Sequence, residues 1–194
     1  MTDVTTDDVK KLRDATGLPI MECKKALTEA DGNREKAIEI LDEQSEKAAA
    51  KKAGRDLDDG IIASYIHNNG KVGAMIELLS ETDFVARNEE FQELGYEIAM
   101  HVAAMNPEYV SRDDVPEEDI EDKKDKLREE FSDKPEDVQD DIIAGKMDDF
   151  YADTVLLEQP FVKDDEKTIE DMLQEATQTF GENVAIGEIS RFEI

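Results

Sequence analysis

Apolar positions over residues 5–53 recur three and four apart, and that period predicts three short helices. Thr5 or Thr6 serves as the first N-cap, Val9, Leu12 and Ala15 share a face, and Gly17-Leu18-Pro19 ends the helix. The second follows Pro19 with Ile20, Cys23, Ala26, Leu27 and Ala30 in register, and Asp31-Gly32-Asn33 both stops it and caps the next. The third presents Ala37, Ile38 and Leu41. It runs into Lys47-Ala48-Ala49-Ala50-Lys51-Lys52-Ala53, rich in helix formers and poor in apolar bulk, as suits a helical linker.

At Gly54 the period shifts toward two. Ile61–Ile66 and Val72–Leu79 flank Asn68-Asn69-Gly70, the strongest hairpin signal in the chain. From Asn88, a natural N-cap, Phe91, Leu94, Ile98, Val102 and Met105 trace a helix that ends before Asn106-Pro107 and is expected to cover the sheet. Pro116 opens a helix carrying Ile120, Leu127 and Phe131, and Pro135 opens another with Val138 and Ile142 before Gly145. Both are acidic and narrow-faced, so both are expected at the periphery. Thr168 caps a last helix with Ile169, Met172, Leu173, Ala176 and Phe180, stopped by Gly181, and residues 184–194 read as a strand with a bulge at Gly187. The sum is an α+β chain: a three-helix domain with its helical linker over residues 1–53, and a core over residues 54–194 in which a small antiparallel sheet packs against helices.

Composition sharpens this picture. Leu, Ile, Val and Phe make up 45 of the 194 residues, about 23%, above the roughly 20% below which a highly charged chain stays disordered. Against 23 Lys and Arg stand 51 Asp and Glu, a net charge of −28. Such a surface repels phosphate backbones and anionic lipid, which argues against direct nucleic-acid binding and against membrane association. It suits a salt-rich cytoplasm, where screening makes the self-repulsion tolerable. The opening residues lack the pattern of a secretory or transit signal and no stretch approaches 18 apolar residues, so a cytoplasmic location is expected. The single cysteine, Cys23, excludes an internal disulfide and reads as a small buried hydrophobe.

Candidate chemistry is sparse. No phosphate-binding loop, zinc motif or nucleophile elbow occurs, so no catalytic residue, cofactor site or metal site is assigned. His67 beside the hairpin turn and His101 inside a helix are better read as satisfied or solvent-facing imidazoles than as catalytic bases. Acidic runs such as Glu117-Glu118-Asp119 lack the oxygen-ligand spacing of a calcium loop and read as solvated faces. The stretch from Ser80 to Asn88 joins the hairpin to the long helix, a place where a rigid base holds exposed groups. From physics alone Phe84 beside Asp83 is open to two readings: a plug under the sheet with a turn-stabilising neighbour, or a group that faces a partner.

The residues themselves go further. Thr16-Gly17-Leu18-Pro19-Ile20-Met21-Glu22-Cys23-Lys24-Lys25-Ala26-Leu27, with Ala30-Asp31-Gly32-Asn33, resembles the N-terminal signature of the bacterial elongation factor Ts family. Glu81-Thr82-Asp83-Phe84-Val85-Ala86-Arg87 resembles its central signature. Blocks at residues 98–104, 157–162 and 191–193 follow in the same order. The resemblance implies a ubiquitin-associated-like (UBA-like) N-terminal domain and a core that docks on a GTPase, elongation factor Tu. It implies that Thr82, Asp83, Phe84 and Val85 insert near that partner's magnesium site and promote GDP release. It also resembles the short form with one core module, in which two chains can pair as a homodimer. The alternative is an acidic adaptor that binds a protein partner without altering its nucleotide. A carboxylate-based hydrolase finds no support, since nothing places two acids around a pocket.

Overall fold

Thr5 opens the first helix with a capping box: its side chain accepts the Asp8 N–H while the Asp8 carboxylate accepts the Thr5 N–H. The computed structural model describes residues 4–194, with Glu136 and Asp137 described by backbone alone. In order the elements are α1 (Thr6–Thr16), α2 (Ile20–Glu29), α3 (Arg34–Lys52), β1 (Asp59–Ile66), β2 (Val72–Ser80), α4 (Asp83–Ala86), α5 (Glu89–Met105), α6 (Glu117–Glu130), α7 (Glu136–Thr154), β3 (Pro160–Phe161), β4 (Asp164–Thr168), α8 (Ile169–Phe180) and β5 (Val184–Glu193). Short 3-10 turns lie at Arg112–Asp114 and Leu156–Glu158. This is an α+β fold, with a three-stranded sheet ordered β1-β2-β5 and a separate antiparallel pair β3-β4.

Contacts divide the chain into two compact units, and each strand of the three-stranded sheet has residues in both. The first unit comprises Met1–Ile62, Glu77–Gly95 and Glu170–Ile186. Its N-terminal helices enclose a core of Val9, Leu12, Leu18, Cys23, Ala26, Leu27, Ala30, Ala37 and Leu41. Gly17, left-handed at φ 71°, turns the chain between α1 and α2. Two expected core positions lie outside: Ala15 is exposed and Ile20, the first residue of α2, is 49% exposed, while Leu18 in the connecting turn is buried. The stretch expected as a helical linker continues α3 without a break. Ser45 and Lys52 of α3 bond to α8, the Lys52 ammonium donating to the Thr177 carbonyl at 2.9 Å. Phe91 of α5 stands edge-on to Phe180 of α8, ring centroids 5.8 Å apart. Gly60 is obligatory, because a Cβ there would lie 2.4 Å from the Leu78 carbonyl oxygen.

The second unit comprises Ala63–Ile76, Tyr96–Ile169 and Gly187–Ile194. Its hairpin turns over residues 67–71, where His67 N–H donates to Val72 O at 2.9 Å and Gly70 adopts φ 66°. Strands this close in sequence pair antiparallel. Helices α6 and α7 bury Leu127, Ile143 and Met147 between them, flanked by Ile120, Phe131, Phe150 and Tyr151. Here the expectation needs correcting: Val138 is exposed, the inward face is set by Ile143 and Met147, and α7 runs through Gly145 to Thr154. A mid-helix glycine costs only about 1 kcal/mol, which the apolar contacts of Met147, Phe150 and Tyr151 beyond it offset. Arg112 binds Glu158 through two nitrogens and stacks over the Tyr151 ring, 4.1 Å to its centroid, pinning one 3-10 turn to the other.

Candidate functional site

β2 delivers the chain to the site through Ser80, whose side chain is wholly buried and whose Oγ donates to the Thr82 carbonyl at 3.1 Å. One helical turn follows, α4, closed by Ala86 N–H to Thr82 O at 3.3 Å and Arg87 N–H to Asp83 O at 3.1 Å. Asn88 then caps α5, its side-chain oxygen accepting the Glu90 N–H at 2.8 Å. Along this turn some side chains anchor and others are displayed. Val85 and Ala86 are buried, whereas Phe84 is 83% exposed. Asp83 is half-exposed and pairs with Arg87 at 2.9 Å, an ion pair on the surface of the same turn.

Phe84 is therefore no plug under the sheet. The structure brings Thr82, Asp83, Phe84 and Val85 together on one short turn, with Thr82 and Val85 at its root and Asp83 and Phe84 outward. The root is fastened in a way that sequence reading misses. Glu182, just past α8, accepts the Thr82 N–H at 3.0 Å and the Thr82 hydroxyl at 2.7 Å. In return Glu81 accepts the Asn183 backbone N–H at 2.6 Å and the Arg55 guanidinium at 3.1 Å. The Asn183 N–H, and after it Arg55, hold the Glu81 carboxyl below the usual carboxylate range. Thr82 and Glu182, like Glu81 and Asn183, are about 100 residues apart in sequence and no local motif links them; the hint is a Glu-Asn pair directly after the Gly181 helix stop.

The other candidates are placed elsewhere. His67 is exposed and shares a hydrogen bond with the Tyr65 hydroxyl at 3.1 Å. His101 belongs to the second unit and is fully buried with both ring nitrogens partnered. Cys23 is buried in the helical core, where desolvation pushes its thiol pKa up and away from reactivity.

Residues 2–194 match the family described as Elongation factor TS. Among curated proteins, Elongation factor Ts of Thermosipho melanesiensis is 54% identical over 188 residues, covering 96% of each chain. Elongation factor Ts of Acetivibrio thermocellus is 49% identical over 192 residues, covering 98% of this chain and 89% of the relative. That of Thermotoga maritima is 46% identical over 192 residues, covering 99% and 96%. With a match along its whole length and an anchored turn carrying the central signature, the chain belongs to the elongation factor Ts family.

Proposed function

We propose that this chain is a guanine-nucleotide exchange factor for elongation factor Tu in translation elongation, and that α4 is the element that promotes GDP release. The observation that carries this is Phe84, held out into water on a turn whose root is buried and hydrogen-bonded. A rigid aromatic that fills a partner pocket at little entropic expense has the character of an interface hot spot. Inserted beside a bound magnesium, Phe84 and Asp83 disturb the groups that hold the ion and the phosphates; displacing so large a local charge weakens nucleotide binding greatly. By linkage, a factor and GDP that weaken each other's binding make the factor speed GDP departure and leave when GTP rebinds. No bond is made or broken in the chain's own work; acting on a partner in translation elongation, the chain is read as cytoplasmic. Among the described residues, no helix is long and apolar enough to cross a membrane.

Residues 1–53 are read as the UBA-like module contacting the same GTPase, with Ile20 and Met21 as exposed apolar groups that support the contact. Residues 54–194 form the docking core. Exposed Ile66, Met75 and Phe192 on the strands support pairing with a second copy. Light scattering after size exclusion checks this: a dimer mass is expected, and a monomer mass across micromolar concentrations overturns it.

The deciding experiment follows release of fluorescent GDP from the same organism's elongation factor Tu at matched salt. The wild type is expected to accelerate release, and Phe84→Ala to lower that acceleration at least about tenfold, as truncating a hot spot does. Its thermal midpoint should barely move, because an exposed side chain contributes within about 0.5 kcal/mol; were Phe84 core, about 3 to 5 kcal/mol would be lost. Binding without acceleration moves the chain to the adaptor reading.

A further inference from the structure

We infer that Glu182 is a positioning residue for the exchange element: it locks the root of α4 so that Asp83 and Phe84 are presented at a fixed aim. The inference rests on the reading of α4 as the exchange element. A single helical turn has almost no stability of its own, since one or two hydrogen bonds cannot offset the dihedrals they fix. Its conformation must come from its anchors. Burial of Val85 and Ala86 supplies one. The Ser80 hydroxyl, donating to the Thr82 carbonyl, supplies a second, and the third is a reciprocal clasp in which two adjacent residues on each segment exchange a carboxylate for a backbone N–H, Thr82 N–H to Glu182 and Asn183 N–H to Glu81.

The clasp leaves a mark on α4 itself. An N-cap threonine ordinarily accepts a hydrogen bond from the first turn. Thr82 makes no such bond; its hydroxyl donates to Glu182 at 2.7 Å. The carboxylate thus takes both Thr82 donors at once, 3.0 Å for the amide, and such charge-assisted bonds are roughly twice as strong as neutral ones. Arg55 reinforces the far side, binding Glu81 at 3.1 and 3.3 Å while its own carbonyl accepts the Asn183 side chain at 3.5 Å. Loss of Glu182 frees the Thr82 amide and lets the turn swing about its buried residues, so the wedge must be ordered anew each time it enters the partner.

The test compares wild type, Glu182→Ala, Glu182→Gln, Thr82→Val, Phe84→Ala and the double variant Glu182→Ala/Phe84→Ala in GDP release from elongation factor Tu, across factor concentrations. Glu182→Ala is expected to lower the maximal release rate roughly tenfold, in line with loss of hydrogen bonds to a charged group, with a smaller change in the half-saturating concentration. Glu182→Gln, whose amide oxygen still accepts the Thr82 N–H, should recover most of the rate. Added to Phe84→Ala, Glu182→Ala should lower the rate by much less than its full factor, because it acts through Phe84 together with Asp83. An unchanged maximal rate, or a full additional loss in the double variant, overturns the inference. If Glu182→Ala does not fold, Thr82→Val, which keeps the N–H and deletes the hydroxyl, carries the same comparison. Amide hydrogen exchange over residues 82–88 of the free protein gives an independent reading. It should be at least about tenfold faster in Glu182→Ala and unaltered in Phe84→Ala; unaltered protection in Glu182→Ala overturns the clasp even if the wild type fails to release GDP, a failure that by itself strikes only the exchange reading.

Discussion

His101 has its two ring nitrogens committed in opposite senses. Nδ1 accepts the Val162 N–H at 3.2 Å, so the ring proton sits on Nε2 and is donated to the Gln159 side-chain oxygen at 2.9 Å. Gln159 is held in that orientation by its own amide, which donates to the Asp153 carbonyl at 2.7 Å. Burial lowers the imidazole pKa below 6.5, outweighing the opposite pull of the Gln159 bond. A second ring proton would meet the Val162 N–H head-on. Because the folded pKa is depressed, the unfolded chain takes up the proton first; the contribution is intact above the unfolded pKa of about 6.5 and is lost as pH falls from there through the folded value. Urea denaturation at pH 7.5 and 5.5 should show wild type losing stability relative to His101→Gln, by no more than about 1.4 kcal/mol per pH unit for one proton. A constant difference between the two proteins would show that folding leaves the His101 pKa where it stands in the unfolded chain.

At the scale of elements, legibility tracked how local the determining interactions are. α1 to α3 announce themselves because caps and stops are local: the Thr5 box, left-handed Gly17 and Asn33, whose side chain accepts the Lys36 N–H, lie within a few residues of what they terminate. The β1–β2 hairpin is equally legible from Asn-Gly between two apolar runs. Three features escape such reading. α7 passes through Gly145 because apolar contacts with α6 outweigh the local propensity. The β3–β4 pair is missed because Asp164-Asp165-Glu166 on a short strand shows neither alternation nor β-favouring residues. α4 is one turn, too short for any period, and its bracing by Glu182 is fully non-local. The central signature drew attention to this turn by resemblance while physics left Phe84 between two readings. Exposure removes the plug reading, and exposure of a single aromatic is a property of the packed chain and not of the pattern around it.

For the whole molecule the governing quantity is charge. With 51 acids and 23 bases, even complete one-to-one charge balance leaves an excess of 28 negative charges. Several pairs that do form are solvent-exposed i, i+3 or i, i+4 contacts, such as Lys11 with Asp7 and Lys47 with Glu43, and exposed pairs contribute little. Salt weakens these few attractions and the far more numerous repulsions together, so the balance favours the folded state as ionic strength rises. The thermal midpoint should climb from dilute buffer into KCl by several degrees, about 2 to 4 °C for each kcal/mol in a chain of this size. The shape of the climb identifies its cause. Relief of repulsion is steepest where the screening length shrinks from about 30 Å at 0.01 M to about 10 Å at 0.1 M and levels off beyond, whereas exclusion of salt from the surface grows steadily into the molar range. A midpoint that stays flat below 0.1 M would mean that the exposed ion pairs balance the excess charge, and the acidic surface would then be neutral to stability in dilute salt.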